Sequence, residues 1–402
     1  MRILYLADIR FPLERANGIQ TFETCYALAE RGHDITLAVR PDTNRPARDA
    51  FVFYGRERQA RLHLEARASL PGPMRRAGYV ARSIGLATMR RFDAVLTRDL
   101  GIAAILLRFP RGLRPPLVYE SHGYTPAVSG AMPQLLANGR PPSRSKLARL
   151  AAREDRVWRE AEGYITITRA LAAELTDRFG GRAQLMVIPD GVRLIEPRSR
   201  VPPPSAASPV VAYAGHLYPW KGVDVLLEAL ARLPGAKGLI VGGHPAESDF
   251  ARLQHAAARL CIAERVQFTG MVEPGAVAGY LATAHVLVLP NTATRISERY
   301  TSPLKLFEYL AAGRPIVASD LPALREVVTA DVDAVLVPPG DPRALAEGIA
   351  RVLRDPELAE RLSAQAWSRA AAFSWTARAE RIDQVLQGVV APSALRNAGS
   401  PA

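Results

Sequence analysis

From its first residues to about residue 320, the chain alternates short runs rich in isoleucine, leucine and valine with longer segments whose apolar residues recur every three or four positions. It does this twice. Such alternation is compatible with few folds: strand, helix and strand form a unit whose parallel sheet must be covered by helices on both faces. The first series opens with strand ILYLADI, a loop ending at Asn17 and Gly18, helix TFETCYALAERG and strand DITLAV. Further strands are expected at 93–97, 116–121, 163–168 and 184–189, with helices over 145–162 and 169–179. VPPPSAASP (201–209) has the composition of a linker. Beyond it the alternation restarts with PVVAYAG, VDVLLEALARL, GLIVGG, DFARLQHAAARL, RVQFTG, AHVLVLP and PIVASD. The tail over 342–387 reads as helical, anchored by Trp367, Phe373 and Trp375.

A length of 402 residues fits two domains rather than one. The expected division is 1–200, 209–372 and a last helix, 373–390, packing back on the first domain. The fold class is α/β, two doubly wound Rossmann-like domains facing a cleft. Ligands of such sheets bind beyond the carboxyl ends of the strands, so candidate residues are sought there.

Composition narrows the function classes. With 48% hydrophobic and 23% charged residues, the chain has the balance of a folded soluble protein. The net charge is +13, and only Lys146, Lys221, Lys237 and Lys305 are lysines among 52 basic residues. Residues 51–115 hold 13 arginines against Glu57, Glu65, Asp93 and Asp99. A basic patch there would attract phosphates of lipid head groups, nucleotides or nucleic acid; a solvated arginine-rich surface is the equal alternative. Cys25 and Cys261 fall on expected helices with no metal spacing and read as buried thiols of a reducing compartment. No run of 18 apolar residues occurs, so a cytoplasmic protein that at most touches a membrane surface is expected.

Several positions are unusual for the elements that carry them. In SPLKLFEYLAAGRP, Ser302 suits an N-cap, Pro303 the first helical position and Gly313 the stop, so a helix is expected over 303–312. Glu308 lands at the edge of its apolar stripe, where a carboxylate requires a partner or a ligand. Lys221 stands before helix VDVLLEAL, and Lys305 in the first turn of the helix that carries Glu308. A cation is disfavoured at a helix start and is compensated by a bound anion, so the pair reads as a diphosphate cradle. His122 directly follows strand PLVYES, Gly18 precedes a helix, and Gly242 and Gly243 follow strand LIV. Each alone is weak. Asp331 and Asp333 form a carboxylate pair without a supporting ligand cluster, so no metal site is assigned.

The ordered set AGHLYPWKGVDVLLEAL, VQFTGMVEP, SPLKLFEYLAAGRPIVASD and VLVPPGDPRALAEGIARVL resembles the retaining glycosyltransferases of GT-B fold, glycosyltransferase family 4 or group 1. The resemblance covers most of the chain, with the first domain the more divergent. It implies transfer of a sugar from a UDP- or GDP-sugar held by the second domain, with no cofactor beyond this co-substrate and no metal. Under it Lys221 meets the donor phosphates, Glu308 the ribose hydroxyls, and Ser302, Pro303 and Leu304 offer backbone N–H groups. The backbone around Met271 lines the base pocket, His122 contacts the transferred sugar, and Gly18 lies beside the phosphates.

Two positions depart from the family pattern. His216 stands where an arginine usually follows the glycine of the phosphate loop, a role Lys305 would share. Tyr300 stands where the first of two motif glutamates is usual, with Glu298 two residues early. The expected catalytic set is His122, Lys221 and Glu308. The expected setting is cell-surface polysaccharide or glycolipid synthesis, with a lipid-linked acceptor, peripheral contact at the inner membrane face and no nucleic-acid partner. The alternatives are a non-catalytic sugar-nucleotide-binding homologue and a sugar-nucleotide epimerase.

Overall fold

The structure is a computed structural model and describes residues 1–42, 46–66, 74–89, 91–135, 140–194 and 208–397. Most of the linker expected at 201–209 lies outside the described residues. The chain divides into two units, Met1–Gly130 with Pro141–Pro189 and Trp375–Ala402, and Asp190–Ser374 with Ala131–Arg140.

The first unit runs β1 (Arg2–Phe11), α1 (Ala16–Glu30), β2 (Asp34–Pro41), α2 (Ala50–Phe53), β3 (Leu62–Glu65), α3 (Arg75–Thr88), β4 (Ala94–Thr97), α4 (Leu100–Leu106), β5 (Leu117–Ser121), α5 (Thr125–Leu135), α6 (Arg144–Glu160), β6 (Gly163–Thr166), α7 (Arg169–Phe179) and β7 (Leu185–Val187). Its strands form one parallel sheet in the order β3-β2-β1-β4-β5-β6-β7. β1 lies centrally because Ile3, Leu4, Tyr5 and Leu6 are apolar on both faces, and all four are fully buried. β3 was not expected from sequence: LHLE is four residues long, buries only Leu62 and sits at the edge, where little apolar pattern is needed.

The second unit continues with β8 (Val210–Ala214), α8 (Val223–Ala231), β9 (Lys237–Val241), α9 (Ser248–Arg259), β10 (Val266–Gly270), α10 (Val277–Ala282), β11 (Val286–Leu289), α11 (Arg295–Arg299), α12 (Leu304–Ala312), β12 (Ile316–Ser319), α13 (Pro322–Arg325), β13 (Val335–Val337), α14 (Pro342–Arg354) and α15 (Pro356–Ala370). Its six strands are ordered β10-β9-β8-β11-β12-β13, again with parallel pairing. Alternate residues serve opposite faces. Val211, Tyr213, Ile240, Val286, Val288 and Val317 enter one core, while Ala212, Ala214, Leu239, Val241, Leu287 and Ala318 enter the other.

The tail is helical, in three helices. Asp341 caps α14 through Arg343 and Ala344 N–H with Pro342 at the first position, and Asp355 caps α15 through Leu358 N–H before Pro356. The last helix, α16 (Trp375–Asn397), belongs to the first unit and packs on α1, β5 and β6. Gly163 makes room for it, since a Cβ there would meet Val385 and Val389 at 2.9 and 3.2 Å.

Two sequence expectations change, and the arginine-rich segment takes on a structural part. Cys25 is buried, but Cys261 is exposed: it follows α9 at φ 56° while the turn tucks Ile262 inward, its N–H reaching Ala257 O. The expected helix 303–312 begins one residue later, with Pro303 at its cap; Ser302 makes no cap and instead accepts Asp190 N–H at 2.8 Å. Many arginines of 51–115 are engaged internally. Arg56 pairs with Glu23 at 2.6 Å, Arg76 with Asp8 at 2.8 Å and Arg114 with Glu162 at 3.0 Å, and Arg82 donates to Val39 O and Glu65 O. Among the described residues, no helix is long and apolar enough to cross a membrane.

Candidate active site

In the second unit the chain leaves β8 for β9 on one side and returns through β11 on the other, so the connections after these neighbouring strands diverge at their C-terminal ends. A parallel sheet opens a crevice at such a switch point. The loop after β8 begins with Gly215 and His216; the connection after β11 leads into α12. They meet at Gly215. It has φ 138°, and a Cβ there would collide with Nζ of Lys305. Lys305 Nζ also lies 3.4 Å from the Tyr213 hydroxyl and 5.2 Å from its ring centroid, and that hydroxyl donates to His216 O at 2.6 Å. The glycines after β9 serve the same packing: a Cβ on Gly242 would meet Gly215 O at 2.5 Å.

Lys221 ends a 3-10 turn, Pro219–Lys221, immediately before α8. Gly222 takes φ 71° and presses on Pro290 O, a contact no side chain would allow. Thr292 N–H donates to Trp220 O at 3.1 Å, further tying this turn to the segment after β11. His216, Tyr218 and Trp220 stack in sequence, with centroids 5.1 and 4.7 Å apart and near-parallel planes. The turn is thereby stiffened from His216 to Lys221.

Both lysines are half-buried, and neither has an anionic partner in an ion pair among the described residues. Burial lowers the Lys221 ammonium to about 8. Burial and the nearby Lys221 charge lower Lys305 to about 7, against the opposing pull of Glu308. Glu308, half-buried on α12, is raised above the usual carboxylate range because burial outweighs the lowering pull of Lys305, and no hydrogen bond satisfies it among the described residues. Burial thus disfavours the charged form of each of the three groups.

α12 is more deeply packed than one stripe predicts. Leu304, Leu306, Phe307, Tyr309 and Leu310 are all buried. Tyr309 Oη accepts Ala214 N–H at 2.8 Å and donates to Val288 O, fixing the helix to the ends of β8 and β11. Ser302, Pro303 and Leu304 lead into it, but Pro303 has no N–H, so the free amides of the first turn are those of Leu304 and Lys305. Met271 is half-buried directly after β10, whose Gly270 O accepts Gly242 N–H at 3.0 Å. Asn291, after β11, is fully buried with both ends of its amide unpartnered. Sequence reasoning passed over it, although a polar residue one proline beyond strand VLVL was the available signal.

Asp331 and Asp333 are architectural. Asp331 pairs with Arg351 at 2.6 Å; Asp333 accepts Thr329 N–H at 2.6 Å and lies 3.3 Å from Arg369.

Gly18 and His122 lie in the first unit. Gly18 enters α1 where a Cβ would meet Leu13 O and Tyr54 Oη at 2.9 Å or less. His122 follows β5, with Nε2 2.6 Å from Glu120 Oε1.

The fold is that of solved GT-B glycosyltransferases. Sucrose-phosphate synthase from Thermosynechococcus elongatus matches with a TM-score of 0.77 at 21% identity, covering 98% of this chain and 100% of that one. Anabaena HepE in complex with UDP-glucose matches with a TM-score of 0.72 at 22% identity, covering 96% and 99%. The group 1 glycosyl transferase model matches residues 208–355, and the glycosyl transferase 4-like domain model matches 18–191. The chain belongs to this family, the group 1 or family 4 glycosyltransferases. The D-inositol 3-phosphate glycosyltransferase of Streptosporangium roseum is 31% identical over 257 residues, 59% of this chain; the match spans 58% of that relative.

Proposed function

We propose that this chain transfers a sugar from a nucleoside-diphosphate sugar, UDP- or GDP-linked, to an acceptor, with retention of the anomeric configuration. The observation that carries this reading is the convergence of Lys221 and Lys305 at the switch point of the second sheet, half-buried and in no ion pair among the described residues, with only the Glu308 charge to offset them. A diphosphate supplies the missing charge. As the bond between the anomeric carbon and the diphosphate oxygen breaks, negative charge grows on the leaving group. The two ammonium groups and the first-turn amides of α12 stabilise it. Side-chain cations rather than a metal ion or another cofactor take this role in the proposal.

Glu308 would accept the ribose hydroxyls, and the backbone at Met271 would face the base. His216 stands in for the usual arginine, held by its stack on Tyr218. In the first unit, His122 is assigned to the transferred sugar and Gly18 to close backbone approach. The relative from S. roseum is named a D-inositol 3-phosphate glycosyltransferase. An anionic, lipid-linked acceptor of glycolipid or surface-polysaccharide synthesis would meet the arginines of the first unit that stay exposed, Arg58 and Arg111 among them. Contact with the cytoplasmic membrane face would run through α3, whose flanking Met74 and Met89 are 58% and 59% exposed.

Calorimetric titration with UDP, GDP and ADP tests the donor site, and labelled sugar donors with EDTA present test turnover. The reading expects binding of one diphosphate, metal-independent release of the sugar, and loss of release in Lys221→Ala and Glu308→Ala with folding intact. Absence of heat with all three nucleotides overturns it.

A further inference from the structure

Glu120 lies on β5 two residues before His122 and is completely buried. Three groups converge on one of its oxygens. His122 Nε2 is 2.6 Å from Oε1, Gln20 of α1 donates its Nε2 at 2.7 Å, and Arg378 of α16 forms an ion pair at 2.7 Å. Arg98, just after β4, donates to Gln20 Oε1 at 2.8 Å and so turns the NH2 end of that amide toward Glu120. Arg378 is itself anchored, donating to Ile188 O and Pro189 O at 3.0 and 2.6 Å. Burial alone would raise the Glu120 carboxyl. Arg378, the His122 hydrogen bond and Arg98 together outweigh it and hold the group down at about 2.

An ionised carboxylate only accepts hydrogen bonds. The proton between the two side chains therefore belongs to His122 Nε2, and Nδ1 is the ring nitrogen left for other partners.

We propose that Glu120, held by Gln20 and by Arg378 of the last helix, is a positioning residue that fixes the ring orientation and Nε2–H tautomer of His122. The catalytic consequence rests on the assignment of His122 to the transferred sugar; the tautomer does not. If Glu120 served only to neutralise Arg378, the histidine beside it would be free to exchange tautomers.

The test is long-range proton–nitrogen NMR of the full chain labelled with nitrogen-15 histidine, with His122 identified by its loss in His122→Asn. The expected wild-type spectrum shows a single His122 tautomer, protonated at Nε2. In Glu120→Gln the ring should populate both tautomers. Turnover should fall about a hundredfold, as for a misplaced catalytic group, with diphosphate affinity unchanged. A mixed tautomer in the wild type, or unchanged His122 signals or turnover in Glu120→Gln, overturns the inference. The wild-type spectrum decides the matter even where Glu120→Gln fails to fold. Failure of diphosphate binding in calorimetry would sink the proposed function and leave the tautomer result standing.

Discussion

Lys305 is an ammonium pressed onto a glycine, and much of the site follows from that contact. Because the free protein holds Lys221 at about 8 and Lys305 at about 7, both below the ordinary lysine range, a bound diphosphate must raise them. The anion prefers the charged forms. Affinity should therefore be greatest below about pH 7 and weaken as pH rises through 7 and 8, by up to about tenfold per unit for each lysine. Titrations at pH 8 in buffers of different ionisation enthalpy should show proton uptake on binding; proton release would contradict this. Gly215→Ala places a methyl where Nζ sits and forces a side chain to φ 138°. It should cost about 1–3 kcal/mol of stability and displace Lys305, read as weaker UDP binding alongside a lower urea midpoint. The two lysines were legible in sequence because a cation at a helix start breaks a local rule. Glu120 and Arg378 were not, since they are 258 positions apart in the chain and only the fold makes them neighbours.

α12 shows what element-level reasoning captures and what it misses. Its stop at Gly313 and its length follow from the residues themselves, whereas its first turn does not. Ser302 has the chemistry of a cap, but Asp190 N–H is the donor that reaches it. A local propensity was overridden by a distant partner. The same helix is anchored by Tyr309, a residue whose ring reads as core and whose hydroxyl bridges Ala214 and Val288. Tyr309→Phe should destabilise the second unit by about 1–3 kcal/mol, because it strands a buried N–H, measured by urea denaturation. The Asp-Pro pairs at 341–342 and 355–356 are the opposite case: cap and first-turn proline lie next to each other in sequence, and the helices begin there.

α16 carries the chain's last described segment into the first unit, and its anchor is electrostatic as well as apolar. Arg378 is 2% exposed on its side chain beside a carboxylate that is wholly buried. Arg378→Ala leaves that charge uncompensated and should cost about 3–5 kcal/mol. The sign of the pH effect follows from Glu120. Its folded value of about 2 lies below the ordinary 4.5, so its contribution is present above about pH 4.5 and is lost as pH falls toward 2. The stability difference between wild type and Arg378→Ala should accordingly shrink as pH falls from about 4.5 toward 2, measured by urea denaturation followed by tryptophan fluorescence; a difference that does not change with pH would refute the coupling.

The sequence alone determined the two parallel sheets, because strand and helix periodicities are local and each apolar run declares its own burial. It also marked Lys221, Lys305 and Glu308, whose charges sit badly in the elements that carry them. The tertiary structure decided what those charges face. It brought Gly215 under Lys305, engaged much of the arginine-rich segment in internal pairs, exposed Cys261, and joined Glu120 to the last helix. Apart from the local turn that exposes Cys261, each of these is a meeting of residues far apart in the chain, and such meetings are fixed by strand order and close packing rather than by any pattern a short window can carry.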